Sequence, residues 1–195
     1  MRTNKKIEEF FSSGDAESSF GDSDLLRFQI GNLPTDCHTL VYCPKMSILH
    51  ELIREDLKRI GIGIVGIQGL PFGLRTYATS QKRVFFIGDF DPTDLLIFKW
   101  LEGTWQSLEY LGIGGELLDE LTPMNWHGLQ IQLSEFEINA LNSSFDWDWI
   151  SGNVGVTHFD FYWSKGYKIE LDWFVRNRAS ALVISNYIIQ RCLKK

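Results

Sequence analysis

Cysteine is scarce in this 195-residue chain. The three present, Cys37, Cys43 and Cys192, are odd in number and nowhere spaced as C-x-x-C. That speaks against a disulfide framework and against a cysteine-based zinc site. The four histidines, at 38, 50, 127 and 158, are scattered with no metal-ligand spacing, so surface or hydrogen-bonded roles are expected for them. Basic residues are also in deficit: 19 Lys and Arg face 25 Asp and Glu, for a net charge of −6. A nucleic-acid surface spread over the whole protein is thereby disfavoured, and any DNA contact must come from a local patch. No window approaches the ~20 apolar residues of a membrane-spanning helix. The opening Met-Arg-Thr-Asn-Lys-Lys lacks the apolar run of a signal peptide, so the expectation is a cytoplasmic protein with no membrane contact.

Aromatic residues, by contrast, are abundant at 14%, with seven tryptophans. Residues 1–37 are read as a flexible acidic lead-in containing a short strand at 25–30, because small polar residues such as Ser12-Ser13-Gly14-Asp15 bury little surface. Residues 38–195 read as one α/β domain. Thr39–Cys43, Ile64–Ile67 and Arg83–Ile87 are short apolar runs of strand type. Between them lie a helical pattern over 46–60 and a short helix after Gly69-Leu70-Pro71, and Pro92–Trp100 opens a further helix. Strands alternating with helices over about 65 residues predict crossover connections and a parallel sheet covered on both faces. Further on, 108–121 is leucine-rich and partly helical, Leu129–Leu133 alternates as a half-buried strand does, and Ser134-Glu135-Phe136-Glu137 caps a short helix. Residues 142–165 form an irregular, Trp-rich insertion, and a last helix runs from about Ser180 to Leu193.

Chemistry concentrates just past the third strand, at Asp89-Phe90-Asp91-Pro92. Residues i and i+2 of an extended chain point to one side, so Asp89 and Asp91 converge at the strand end, where α/β proteins place ligands. Two such carboxylates repel unless a cation neutralises them, and Mg²⁺ commonly takes one or two carboxylates with water and phosphate oxygens. Helix capping accounts for part of the same pattern. Asp91 suits the N-cap, Pro92 the first helical position and Asp94 the third. Capping leaves Asp89 unexplained.

Val84–Asp94 resembles the D-x-D-P strand end of Toprim domains, as found in the topoisomerase VI A subunit, meiotic DNA-break proteins and bacterial and phage Toprim proteins. Val41-Tyr42-Cys43-Pro44-Lys45 is similar to the first strand and its V-E-K element. Gly69-Leu70-Pro71 sits like the loop after the second strand, and Leu133–Asn142 like a later strand-and-helix step. Lys168-Ile169-Glu170-Leu171-Asp172 resembles the E-L-D-A-L segment before the last helix. The resemblance spans about residues 38–195 and implies a three-layer, Rossmann-like parallel sheet. It also implies a Mg²⁺ site at Asp89 and Asp91, with Glu170 as a spare carboxylate.

The departures bear on activity. Toprim enzymes carry a Glu at the first strand end for metal binding or acid–base work, and here Pro44 or Cys43 stands in its place. The relatives that cleave DNA attack with a tyrosine from a preceding helical domain, which is not expected here. The resemblance therefore implies a degenerate module that works through a larger protein partner in DNA processing or DNA defence, and no catalytic residue is assigned. A Mg²⁺-dependent nuclease using Asp89 and Asp91 is the second class. A third, with Asp89 as the nucleophile of a phosphatase-like or receiver-like protein, lacks an evident supporting lysine. Asp146-Trp147-Asp148-Trp149 sets its rings between acids, which suits protein contact better than a phosphate-tracking groove.

Overall fold

A computed structural model of the chain describes residues 2–12, 37–45, 52, 57, 59–66, 70, 83–105, 107–113, 115–121, 130–144, 147–155, 163–176 and 178–194. Four strands form a parallel sheet: β1 (Thr39–Tyr42), β2 (Ile62–Val65), β3 (Arg83–Phe86) and β4 (Leu108–Tyr110), in the order β2-β1-β3-β4. Every residue of β1 and β2 is buried, as the unbroken apolar runs require of a sheet covered on both faces. Helices flank the sheet, giving the expected three-layer, Rossmann-like α/β arrangement. The strand order reverses between β1 and β3. The chain leaves β1 for β2 on one side and returns to β3 on the other, which opens a crevice at the carboxyl ends of β1 and β3.

Helix α2 (Pro92–Glu102) follows β3 with Asp91 as its N-cap and Pro92 at its first position, and β4 returns parallel to β3. After α3 (Gly115–Glu120), strand β5 (Gln130–Gln132) pairs antiparallel with β6 (Tyr167–Ile169). Among the described residues, an isolated antiparallel bridge links Ile169 of this small sheet to Phe90, just past β3. Phe90 N donates to Ile169 O at 2.9 Å and Ile169 N to Phe90 O at 3.3 Å. Between β5 and β6 lie α4 (Glu135–Ser144), α5 (Trp147–Ile150) and a π-turn at Ser151–Gly155; α6 (Leu171–Arg176) and α7 (Arg178–Leu193) close the chain. The capping box read at Ser134 is formed. Ser134 N donates to Glu137 Oε2 at 2.7 Å, and Glu137 N to Ser134 Oγ at 3.3 Å.

Three expectations need correction. Residues Arg2–Ser12 are a helix (α1), not part of a flexible lead-in, and Ile7 and Phe11 join the main core. Their i, i+4 spacing puts both on one face, and Trp100 Nε1 donates to Glu8 Oε1 at 2.9 Å to fasten that face to α2. The rest of the expected lead-in, residues 13–36, lies outside the described residues. Strand β2 starts at Ile62, two residues earlier than read, because Gly61 (φ 72°) ends the preceding turn and Gly63 pairs opposite Leu40. Leu108–Tyr110 is a strand within what read as a leucine-rich, partly helical stretch. Leu52 and Leu57 are helical and buried, as the pattern over 46–60 predicts. Arg59 is helical and exposed and Ile60 lies partly buried in the turn that follows, while the rest of that pattern, the short strand at 25–30 and the helix after Pro71 lie outside the described residues.

Among the described residues, most of the tryptophans pack inside the protein. Trp100, Trp105 and Trp163 are buried. Trp149 is partly buried and lies against Phe98, with its Nε1 donating to Glu102 Oε2 at 2.8 Å. Docking of α1 is testable. Ile7→Ala is expected to cost about 2–4 kcal/mol in urea unfolding, as for a core isoleucine. A loss under about 0.5 kcal/mol, the surface range, would mean that α1 is not docked.

Candidate metal centre

The register of the sheet builds the site. Tyr42 pairs with Phe86 at the ends of β1 and β3, so Lys45 and Asp89, each three residues further on, emerge side by side at the crevice. The Lys45 ammonium is in direct contact with Asp89 Oδ2. The other oxygen, Oδ1, accepts from Leu171 N at 2.7 Å, a donor presented by the segment after β6. The Phe90–Ile169 bridge delivers that segment, together with Lys168, Glu170 and Asp172.

Asp91 and Asp94 complete the cluster. Asp91 Oδ1 accepts from Asp94 N at 2.8 Å, the N-cap bond, while Asp94 Oδ2 reaches back to accept from Asp89 N at 2.6 Å. Oxygens of Asp89, Asp91 and Asp94 lie within 4.8 Å of one another, close enough for the three to hold a metal ion. Asp89 and Asp91 thus converge as expected. Asp94 joins them, although the sequence marks it only as a helix-start residue; its three-residue spacing from Asp91 on a capped helix was the available signal. Glu170 stands apart from the buried triad. Its carboxylate lies 3.8 Å from Lys45 Nζ and 3.3 Å from Lys168 Nζ, on the half-exposed rim. Lys168 also pairs with Glu137 at 2.7 Å, and Asp172 lies 3.4 Å from Lys45 Nζ.

Two small residues permit this packing. A Cβ on Gly88 would sit 2.6 Å from Asp94 Oδ2 and 2.7 Å from Phe86 Cε1. One on Gly112 would meet the Tyr110 ring at 2.5 Å. Tyr110 in turn donates to Asp89 O at 3.2 Å and stacks on Phe86 at 5.8 Å, so an aromatic floor underlies the acids.

Burial on that floor dominates the electrostatics. Desolvation pushes the Asp89 carboxyl from 3.8 up to about 7, against the pull of Lys45. Burial raises Asp91 as well, and raises Asp94 well above the carboxylate range, with the Asp91 and Asp89 charges adding to the latter. Lys45 is held charged far above its usual range by Asp89, in spite of its own desolvation. The two partners thus shift in ways a simple ion pair does not, since a bare pair would lower the acid. Direct contact decides the state of the pair: above about pH 7, Asp89 is ionised against Lys45. The cluster's retained proton belongs on Asp94, which has no ammonium within ion-pair distance among the described residues.

The fit to a metal ion follows from the same contacts. Three carboxylates suit a hard cation, and Asp89 Oδ2 accepts no well-formed hydrogen bond. That oxygen, however, already faces an ammonium. A divalent ion held about 4 Å from Lys45 Nζ would be repelled by about 8 kcal/mol at an effective dielectric of 20. Lysine and metal therefore compete for one position. A lysine now stands beside Asp89, as a phosphoryl-accepting aspartate would need, but Asp89 is 0% exposed and offers no line of attack.

Two outcomes are expected. Gly88→Ala overpacks the loop and should cost about 1–3 kcal/mol in chemical denaturation. The pH dependence follows from the raised carboxyls, which bind protons more tightly when folded. Their contribution is fully present below the unfolded value near 4 and is lost as pH rises towards 7. Glu137, whose pKa is lowered, works in the opposite sense but is one group against three. Thermal stability should therefore fall as pH rises from about 4 to 7, and less steeply in Asp94→Asn, which removes one buried carboxyl that binds its proton more tightly when folded. An equal slope in both proteins would contradict the assignment.

Searches against protein-family models and among curated proteins found no match for the chain.

Proposed function

We propose that the chain is a catalytically silent Toprim-like module that acts through a larger protein partner in DNA processing or DNA defence. One observation carries this reading. At the end of β1, where Toprim chemistry uses a glutamate, the chain has Cys43-Pro44-Lys45, and the lysine reaches Asp89 in the position a metal would hold. An ammonium held charged against a carboxylate does no acid–base work near neutral pH. Cys43 does not replace the missing group, since its thiol is buried and pushed up beyond the range in which it titrates usefully.

The nuclease alternative would use Asp89 and Asp91 to hold Mg²⁺, which would serve as Lewis acid and template for a phosphodiester. Asp89 is fully buried and Asp91 is 5% exposed, which leaves little room for the waters and phosphate oxygens that Mg²⁺ retains. At the rim, the ammonium groups of Lys45 and Lys168 are already paired with Glu170, Asp172 and Glu137, which disfavours a DNA backbone there. Several basic residues are engaged internally: Arg83 with Glu109 at 3.0 Å, and Arg191 with Glu116. Trp173, half exposed on α6 just beyond the site, is the kind of ring that protein interfaces use.

Plasmid and single-strand cleavage assays with Mg²⁺ or Mn²⁺ test the reading. The wild type and Asp89→Ala are both expected to leave DNA intact. Metal-dependent cleavage by the wild type that Asp89→Ala abolishes would establish the nuclease instead. Purified from its native cells, the chain should elute in an assembly well above its own 22.5 kDa. Elution as a monomer contradicts the partner.

A further inference from the structure

Six carboxyl groups crowd the carboxyl end of the sheet: Asp89, Asp91, Asp94, Glu137, Glu170 and Asp172. Among the described residues, the ammonium groups that reach them are those of Lys45 and Lys168. Lys168 is engaged by Glu137 and Glu170 on the rim. Lys45 is the one that touches the buried triad. Its side chain is 22% exposed, while that of Asp89 is 0% exposed, so the lysine lies between the triad and solvent. Asp89 Oδ2 is buried, accepts no well-formed hydrogen bond and is turned towards that ammonium. The oxygen is placed for a cation rather than for a neutral donor.

We propose that Lys45 is the resident cation of this centre. Its ammonium occupies the coordination position at Asp89 Oδ2, and removing the lysine charge converts the triad into a site for a hard divalent cation such as Mn²⁺. The inference stands on the contacts of Lys45 and does not depend on the Toprim-like reading. It follows from three features together. The donors are all carboxylate oxygens, which suit Mg²⁺, Mn²⁺ or Ca²⁺. The triad loses its one directly touching counter-charge with the lysine. The partly exposed stem of Lys45, once shortened, opens the route by which an ion enters. Asp172 and Glu170, freed of the same lysine, remain at the mouth to attract it.

Lys45→Gln and Lys45→Ala test this, with Mn²⁺ binding followed by the electron paramagnetic resonance of the free ion and by thermal unfolding. The wild type should leave millimolar Mn²⁺ free and its melting temperature unchanged. Each variant should melt lower than the wild type in EDTA and bind Mn²⁺. Its melting temperature should rise by about 5–10 °C at a hundredfold excess over the dissociation constant. Adding Asp89→Asn to either variant should abolish both effects. Binding of Mn²⁺ by the wild type as tightly as by the variants would overturn the proposal. So would a folded Lys45→Gln that ignores the ion. A Lys45→Gln chain that folds in neither Mn²⁺ nor EDTA overturns it too, because the ion would then fail to replace the ammonium.

Discussion

Contact between the Lys45 ammonium and the Asp89 carboxylate joins the two central strands of the sheet at the point where the chain reverses direction. Around it, Asp89 binds in three further directions. Its Oδ1 takes the Leu171 N–H, its own N–H goes to Asp94, and its carbonyl takes the Tyr110 hydroxyl. One residue thereby ties β1, the start of α2, β4 and the segment leading into α6. A buried charge with those ties is strongly destabilising when its partner is removed, typically by about 3–5 kcal/mol. The pair need not stabilise the fold relative to an apolar substitute, but it specifies how these elements meet.

That constraint also governs chemistry. Carboxylates on an aromatic floor are raised by desolvation, and some positive charge must answer them. A metal ion is one answer; a lysine from the neighbouring strand end is another, and it brings no Lewis acidity and no exchangeable water. The residue three positions past β1 supplies that charge here.

Much of this was legible in the sequence. The first three strands announced themselves as short apolar runs, and Asp91-Pro92 read correctly as a helix start, because capping and two-sided burial act over a few neighbouring residues. Asp89 stood out as the residue that capping left unexplained, and the structure gives it Lys45, Leu171, Asp94 and Tyr110 as partners. Lys45 did not stand out. Its partner is 44 positions away, and only the pairing of Tyr42 with Phe86 brings the two strand ends together. Asp94 looked like an ordinary helix-dipole residue because its bond to the Asp89 N–H depends on close packing over Gly88, where a Cβ would sit 2.6 Å from Asp94 Oδ2. Helix α1 was hidden by its setting, since Ile7 and Phe11 lie in a charged stretch that runs into a small, polar one. Glu170 was placed near the site through its likeness to a motif, and the structure puts it on the rim with two lysines between it and full participation.

Crystals grown in Mn²⁺ and measured at the manganese absorption edge test the central claim most directly. The account predicts no anomalous peak within coordinating distance of Asp89, and Lys45 Nζ within hydrogen-bonding distance of Asp89 Oδ2. A manganese peak bridging Asp89 and Asp91, with Lys45 turned out to solvent, would contradict it.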